Sequence, residues 1–345
     1  MVMNNKRKQS NMFEASEATG ISKTPFIGLI SNSAFIGGAI FCLMLIIYSL
    51  FQSDIFSMFQ FQEILINGST AMALAAVGEG FVIITGGFDL SVGAIIALVN
   101  CILTTQMVDT FGSQVFWSFI CLLIGLTAGL LNGILVAIVR LPSIIVTLST
   151  MFIYSGCALV LLPAPTGEIP LSYIDFWAGA TGGVIPNSAI LLIIVIIMLI
   201  LINRSSLGIG IFSVGSDENA AYMNGINIVK TKLLAYSVAG GFYSLAGMVL
   251  SANMGSGDPT IGTPLLLSTF AAVVVGGTPL GGGKGSFIGS LFGAGIMNIS
   301  VGVLFVLGVS SYYGPIFTGA ILIVAVLITT LWSAFMDKFL AARRV

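Results

Sequence analysis

Gly215-Ser216-Asp217-Glu218-Asn219-Ala220-Ala221-Tyr222-Met223-Asn224-Gly225-Ile226 lies within a polar interruption, residues 203–232, of a chain that is otherwise membrane-grade sequence. The stretch carries both end signals of a short helix. Ser216 can serve as N-cap, Asp217 and Glu218 suit the positive end of a helix dipole, and Gly225 can supply the left-handed residue at the stop. The same interruption holds Arg204, Lys230 and Lys232. A capped helix projecting from the basic side of a membrane bundle is placed to dock onto a soluble protein; a plain surface loop between two spans is the alternative.

Around that interruption the composition points to one class. Of 345 residues, 57% are hydrophobic and only 7% charged, against about 25% charged in a soluble domain. This is the composition of an integral membrane protein. A formal net charge of -1 leaves no basic excess to neutralise phosphates, so nucleic acid is not an expected partner. Histidine is absent, which removes His-based triads, most His-bearing metal sites and the usual pH switch. Cys42, Cys101, Cys121 and Cys157 are scattered without CxxC spacing and are expected as small core residues, not as disulfides or ligands. Residues 1–25 have the composition of a polar cytoplasmic tail, and residues 26–340 of a membrane domain with the loop 204–232 on its cytoplasmic side.

Roughly twenty apolar residues cross a bilayer as a helix. That rule predicts an all-α polytopic bundle of about ten transmembrane helices, near 31–51, 63–85, 90–108, 116–139, 143–162, 187–203, 233–254, 265–277, 286–307 and 313–336. The eighth is too short to cross unless the Gly-rich stretch after it lies partly inside the bilayer. Alternating directions place both termini in the cytoplasm. The charges test this independently. All twelve Lys and Arg fall on the cytoplasmic side: Lys6, Arg7, Lys8, Lys23, Arg140, Arg204, Lys230, Lys232, Lys284, Lys338, Arg343 and Arg344. The other side receives Asp54, Glu63, Asp109, Glu168, Asp175 and Asp258. The positive-inside rule is met without exception.

The longest outward connection, residues 162–186, contains Pro163, Pro165, Pro170 and the aromatics Tyr173, Phe176 and Trp177. Prolines break regular structure, and the aromatics suit a helix lying at the interface. It is expected as a membrane-surface anchor or a docking surface for an extracytoplasmic partner, two compatible roles.

Two Gly-rich breaks share a GGxxLxxG skeleton: Gly86-Gly87-Phe88-Asp89-Leu90-Ser91-Val92-Gly93 and Gly276-Gly277-Thr278-Pro279-Leu280-Gly281-Gly282-Gly283. Paired interruptions of this kind point to broken helices lining a pathway, and span parity makes the pseudo-repeat parallel; two tight turns are the alternative. Gly86, Gly87, Asp89, Ser91, Gly276, Gly277 and Pro279 are the candidate break and pathway residues. Gly281-Gly282-Gly283-Lys284-Gly285-Ser286 is not a phosphate loop, because Thr278 stands where the first glycine belongs and Gly285 replaces the Ser/Thr after the lysine.

Glu79 and Asp89 are the acids at membrane depth, where charge is costly. Asp89 is expected to accept backbone N–H bonds freed by the break or to cap a helix starting at Ser91. Glu79 needs a water-filled cavity or a polar partner. Most uncharged polar residues in the spans are expected to bond to neighbouring helices or back to their own backbone. Asn67, Thr70, Asn100 and Asn298 are the candidates for lining a route for a neutral, hydroxyl-rich solute, since the interior offers little charge to balance a charged one.

Val82-Ile83-Ile84-Thr85-Gly86-Gly87-Phe88-Asp89-Leu90-Ser91-Val92-Gly93 resembles the most specific signature of a known family, the inner-membrane permease subunits of bacterial ABC importers of the ribose/monosaccharide class. Val214 to Ile226 resembles that family's cytoplasmic Glu-Ala-Ala-type coupling loop, with Asn219 where the family commonly has an acid and Glu218 one position earlier. Val274-Val275-Gly276-Gly277-Thr278-Pro279-Leu280-Gly281-Gly282-Gly283-Lys284-Gly285 and Gly308-Val309-Ser310-Ser311-Tyr312-Tyr313 match in order and spacing, so the resemblance covers about residues 60–335. It implies an all-helical permease of the bacterial inner membrane with no catalytic residues and no bound metal or cofactor. Its ATPase-coupling residues are Ser216, Asp217, Glu218, Asn219, Ala220, Ala221 and Gly225. The implied partners are ABC ATPase subunits carrying ATP and Mg, a second permease chain (identical or homologous), a periplasmic or lipid-anchored binding protein, and membrane lipid. The implied cargo is a monosaccharide or close relative. A nucleoside or furanosyl signalling molecule as cargo, or an ion-coupled secondary transporter titrating at Glu79 and Asp89, are the competing readings.

Overall fold

The computed structural model describes residues 33–52, 57, 60–183 and 185–327. The tail 1–25 with its cations, Asp54, Lys338, Arg343, Arg344 and the outer ends of the first and tenth predicted spans lie outside the described residues. The helices are α1 Ser33–Phe51, α2 Gly68–Ile84, α3 Val92–Gln106, α4 Phe111–Ala137, α5 Ser143–Leu161, α6 Leu171–Ala178, α7 Asn187–Arg204, α8 Ser206–Ser216, α9 Glu218–Met223, α10 Ile228–Met254, α11 Thr263–Val275 and α12 Phe287–Val306, with α13 at Gly314–Leu327. A π-helical stretch, Phe61–Asn67, opens α2. Between α6 and α7 a small hairpin pairs β1 (Ala180–Thr181) with β2 (Ile185–Pro186) antiparallel. Proline sets several starts: Pro142, Pro170 and Pro186 are the cap residues of α5, α6 and α7. Each occupies a place where its missing N–H costs no helical hydrogen bond.

Six helices are long and apolar enough to cross a membrane: Leu65–Ile84, Phe111–Ala137, Ser143–Leu161, Asn187–Arg204, Ile228–Met254 and Phe287–Leu304. The fold is therefore all-α and of membrane type. Burial sorts these helices into centre and perimeter. In Leu65–Ile84 and Ile228–Met254, 83% and 67% of the apolar window is buried, against 22% in Ser143–Leu161 and 17% in Asn187–Arg204. α2 and α10 thus form the centre, while α5 and α7 present an apolar outer face suited to lipid. α4 reaches the centre through small residues, burying Cys121, Gly125, Ala128, Gly129, Asn132 and Gly133. Spacing of three and four along one helix lets backbones approach closely in a bilayer.

Local polar chemistry follows expectation. The hydroxyls of Thr70, Thr104, Thr147 and Ser251 each donate to the carbonyl four residues back. Cys101 and Cys121 are buried and free, but Cys42 and Cys157 are exposed. The core expectation fails for that pair because an outer face turned to lipid accepts a small apolar thiol as readily as a core does.

α3 and α11, with 15 and 13 residues, extend about 22 and 20 Å at 1.5 Å per residue; the hydrocarbon core is about 30 Å thick. Both start inside the bundle, where Gly93 meets Gly262. A Cβ on Gly93 would lie 2.2 Å from the Gly262 carbonyl oxygen, and one on Gly262 would lie 1.8 Å from that of Gly93. From the far end of α3 the segment 255–262 runs back along that helix. Gly257 packs on Thr104 and the Asp258 N–H donates to Asn100 Oδ1 at 2.7 Å. Residues 255–262 thus continue the path of α11 along α3 on the side away from the Gly-rich stretch.

From the Gly93–Gly262 contact, α3 runs towards Thr104 and α11 towards Gly276, in opposite directions, as odd and even spans do. The parallel pairing matches α2 with α11, and the Gly283 N–H on the Ile84 carbonyl brings the breaks that end both helices to one side. The first glycine break leads into a half-helix, whereas the second leaves one. What the two breaks share is a helix stop: left-handed Gly86 (φ 81) and Gly277 (φ 90), each followed by an N–H bonded five residues back, Gly87 to Val82 and Thr278 to Val273. That closure is local chemistry, indifferent to the direction of the chain, and it pairs Gly86 with Gly277 rather than with Gly276.

Candidate functional site

The two ends of α2 carry opposite charge. At its C-terminal end an open cleft of about 970 Å³ is lined by Thr85, Gly87, Arg140, Tyr222, Lys232 and Tyr236 among others. At its N-terminal end a cleft of about 510 Å³ is lined by Gln62, Glu63, Asn67, Asp175 and Asn253 among others. Near that second cleft Ser172 also donates to Asp109. The charge separation visible along the sequence is thus a separation in space, into a basic and an acidic end.

The polar interruption folds at the basic end as two helices, not as one helix in a loop. α8 is an apolar elbow that buries Gly208, Gly210, Ile211 and Val214; its apolar spacing is masked in the sequence by intervening Ser and Gly. α10 begins at Ile228, so Lys230 and Lys232 stand in its first turns, capped by Asn227 Oδ1 accepting from the Lys230 N–H at 2.9 Å. The N-cap of α9 is Asp217 rather than Ser216. Asp217 Oδ1 accepts from the N–H groups of Asn219 at 2.8 Å and Ala220 at 3.0 Å. Ser216 instead closes α8, donating to the carbonyls of Phe212 at 2.8 Å and Gly283 at 3.2 Å. A carboxylate at the cap also complements the helix dipole, which a serine cannot do.

Gly225 ends α9 with φ 80, as expected. The Gly225 N–H bonds the Tyr222 carbonyl and the Ile226 N–H that of Ala221. Glu218 pairs with Lys232, clamping α9 onto α10. Ala221 is buried, while Tyr222 and Met223 are 73% and 85% exposed. The tip of this short lever is apolar and uncovered.

Three features recognised separately in the sequence meet at the root of the lever. Gly215, in the last turn of α8, lies against the end of α2; a Cβ there would stand 1.8 Å from the Ile84 carbonyl oxygen and 2.6 Å from the Gly283 nitrogen. The Gly283 N–H donates to the same Ile84 carbonyl at 2.8 Å. Within the second break the Pro279 carbonyl accepts from the Gly282 N–H at 3.4 Å, and Gly276 packs on Gly289 of α12. A line of rings extends the junction inward: Phe212 to Phe287 at 5.7 Å, Phe287 to Phe81 at 4.3 Å, Phe81 to Phe242 at 5.8 Å. α8 is thereby joined to α12, α2 and α10. At this junction α8 meets the helix ends backbone against backbone, with no flexible side chain between.

The two buried acids, Glu79 of α2 and Asp89 of the first break itself, are both 0% exposed. Glu79 Oε2 accepts from the Tyr243 hydroxyl at 2.9 Å and Oε1 from the Asp89 N–H at 3.2 Å. Those are the polar partners its depth demands. Asp89 Oδ1 accepts from the Ser91 N–H at 2.9 Å and the Ser91 hydroxyl at 2.5 Å, and Ser91 Oγ accepts from Asn132 Nδ2 at 3.0 Å. Ser91 is the cap residue and α3 starts at Val92.

Three of the four pathway candidates, Asn67, Thr70 and Asn298, lie around Gly68 at the start of α2, while Asn100 faces the segment before α11. Asn67 is 2% exposed; its amide donates to the Ala178 carbonyl at 2.8 Å, accepts from the Ser188 hydroxyl at 2.7 Å, and its backbone carbonyl accepts from Asn253 Nδ2 at 2.9 Å. It ties α2 to α6, α7 and α10 beneath the acidic cleft. Asn100 donates to Ser251 Oγ and the Ser256 carbonyl, pinning the segment before α11. Thr70 bonds back to Ile66, and Asn298 lies half-buried beside Gly68. Gln62, passed over in the sequence, and Glu63, read there only as an outer-side charge, join Asn67 on the acidic cleft because the π-helical stretch brings residues four and five apart onto one side. An α-helical period hides the five-residue spacing. Among the described residues no group of three or more His, Cys, Asp or Glu is arranged to hold a metal ion.

Residues 61–326 match the protein family described as "Branched-chain amino acid transport system / permease component". The chain belongs to this permease family. The permease is 34% identical over 269 residues to "Ribose import permease protein RbsC" of Escherichia coli (strain K12), covering 76% of this chain and 84% of that protein. It is 33% identical over 270 residues to the protein of the same name from Bacillus subtilis (strain 168), covering 77% and 82%. It is 30% identical over 269 residues to "D-allose transport system permease protein AlsC" of Escherichia coli (strain K12), covering 77% and 82%. No solved structure matches the permease. The matched region takes in both breaks, the buried acids and the lever, and it makes the permease a translocation component rather than an enzyme.

Proposed function

We propose that the permease is the membrane subunit of an ATP-driven, binding-protein-dependent importer of a monosaccharide or related small neutral solute. The sugar class follows the relatives named for ribose and D-allose rather than the amino-acid title of the family. Interior chemistry supports neutrality: among the described residues the buried charged side chains are Glu79 and Asp89, both engaged inside the bundle. A zwitterionic amino acid would need compensating charges of both signs. In this reading α1 to α5, α7 and α10 to α13 make ten crossings, and the basic end faces the cytoplasm with both termini.

A separate ATPase holding ATP and Mg docks on Tyr222 and Met223, a second permease chain completes the pathway, and a binding protein approaches the acidic cleft. The geometry at Gly215 carries the proposal. Ser216, Asp217, Glu218, Asn219, Ala220, Ala221 and Gly225 make the lever a rigid unit, and its root bears on Ile84 and Gly283. Differential contacts of the ATPase in its two states then become movement of α2 and of the half-helices α3 and α11.

The test is ATP-dependent uptake of radiolabelled ribose by proteoliposomes holding the permease with its cognate ATPase and binding protein. In Ala221→Pro, proline removes the N–H that bonds the Asp217 carbonyl at 2.9 Å. Uptake and ATPase docking are expected to be lost with membrane insertion intact. Normal uptake by that variant, or uptake that follows a proton gradient and ignores ATP, would overturn the proposal.

A further inference from the structure

Arg140 is the one non-glycine among the described residues with a left-handed backbone, φ 62. It sits in the turn that ends α4, where the Leu141 N–H reaches the Leu135 carbonyl at 3.1 Å. Glycine takes that conformation without a steric penalty, whereas an arginine is strained in it, and strain of this kind clusters at ligand sites. The side chain is exposed and has no ion-pair partner among the described residues, where the pair formed is Lys232 with Glu218. Arg140, Lys232 and Glu218 all line the cleft of about 970 Å³ at the basic end. Two cations against one carboxylate leave one positive charge unmatched.

One wall of this cleft is the end of α4 with the turn into α5; another is the lever with the first turns of α10. The two helices meet just beyond it, where a Cβ on Gly133 would lie 3.1 Å from the Leu233 Cα. The volume lies at the upper end of small-molecule sites, about 300–1,000 Å³, and has room for a phosphate with a glycerol attached. Beside the unpaired cation the surface turns apolar. Ile138, Val139 and Leu141 flank Arg140 in sequence, Ile144 and Ile145 follow in the first turn of α5, and all five are exposed. Both α4 and α5 are long and apolar enough to cross a membrane, so the turn between them lies at a bilayer surface. A ligand that uses both features presents an anion to the cleft and hydrocarbon to the flank. A phosphodiester carries one negative charge, equal to the one unmatched, and a guanidinium grips its oxygens as a fork. Basic pockets between membrane helices take anionic headgroups by this chemistry. Free phosphate or a carboxylate of a soluble partner would use the charge but not the flank.

We propose that the basic cleft binds the headgroup of an anionic phospholipid, with its phosphate on Arg140 and its acyl chains along Ile144 and Ile145. The bound lipid spans from the turn between α4 and α5 towards the wall that carries the lever. The inference rests on the membrane class of the chain and is independent of the cargo.

Thermal unfolding of the purified permease in detergent micelles decides it, with dioleoylphosphatidylglycerol titrated against dioleoylphosphatidylcholine at constant total lipid and ionic strength. A saturable rise in Tm of about 3 °C or more is expected with phosphatidylglycerol and none with phosphatidylcholine. Asn and Gly both fit a left-handed backbone, so Arg140→Asn and Arg140→Gly should melt no lower than wild type in phosphatidylcholine. In both, the midpoint of the phosphatidylglycerol titration should move to lipid concentrations about tenfold higher or more. Arg204→Gln, which removes a cation outside the cleft, should keep the wild-type midpoint. Equal melting in the two lipids overturns the proposal. An equal loss in Arg204→Gln also overturns it, because the attraction is then diffuse. So does the same rise in Tm with inorganic phosphate in place of the lipid, which means a free anion fills the cleft. An unchanged midpoint in the Arg140 variants removes the lipid from Arg140; if those variants also fail to hold the ATPase, the cation serves a carboxylate of that partner instead.

Discussion

Gly215→Ala tests the junction most directly. The added methyl would stand 1.8 Å from the Ile84 carbonyl oxygen and 2.6 Å from the Gly283 nitrogen. Ordinary van der Waals contact begins near 3.4 Å, so the end of α8 must withdraw by about 1.6 Å from the end of α2. Neither obstructing atom belongs to a side chain, and no rotamer change relieves the clash. A withdrawal of that size carries Ser216 Oγ, now 3.2 Å from the Gly283 carbonyl, out of hydrogen-bonding range.

Overpacking costs about 1–3 kcal/mol and the lost hydrogen bond about 1 kcal/mol more. Tm of the purified permease is expected to fall by about 5 °C or more. Uptake in proteoliposomes is expected to drop at least tenfold, while the ATPase still co-purifies, because Tyr222 and Met223 stay exposed at the tip. Gly281→Ala is the control: a Cβ there meets nothing within 4 Å, and both readouts should match wild type. Gly215→Ala with wild-type melting and wild-type uptake would show that the backbone contact at Ile84 transmits nothing.

Asp217→Ala removes the acceptor for two N–H groups and should weaken α9 by about 1 kcal/mol, lowering ATPase pull-down and uptake with little change in global Tm; Asp217→Asn, also a good cap, should recover most of the loss. Tyr243→Phe leaves Glu79 Oε2 without its donor inside the bundle and should cost about 1–3 kcal/mol, read as a lower Tm. Adding Glu79→Gln should restore part of that loss, and a double variant that simply sums the single effects would show that the two residues do not act as a pair.

Much was legible in the residues alone. Membrane class follows from 57% hydrophobic and 7% charged composition, because apolar length and charge exclusion are properties of each segment by itself. The ends of the bundle follow from where Arg140, Lys232, Glu63 and Asp175 stand along the chain, since a charge near a helix end cannot migrate to the other side. Gly225 as a helix stop is local backbone chemistry. Near misses were local as well: Ser216 and Asp217 are adjacent and both good caps, and the choice fell to Asp217 because Ser216 is drawn to the Gly283 carbonyl, 67 residues away.

What the tertiary structure alone decided rests on contacts between distant parts of the chain. Counting span lengths shows that α11 is short, but only the meeting of Gly93 with Gly262 shows that the segment before it folds back along α3. The convergence of Gly215, Ile84 and Gly283 on one point, and the bonding of Asp89 and Asn132 through Ser91, leave no trace in composition or periodicity. Helix formation is set by neighbours within a few residues; the place where three backbones touch is set by how the helices pack.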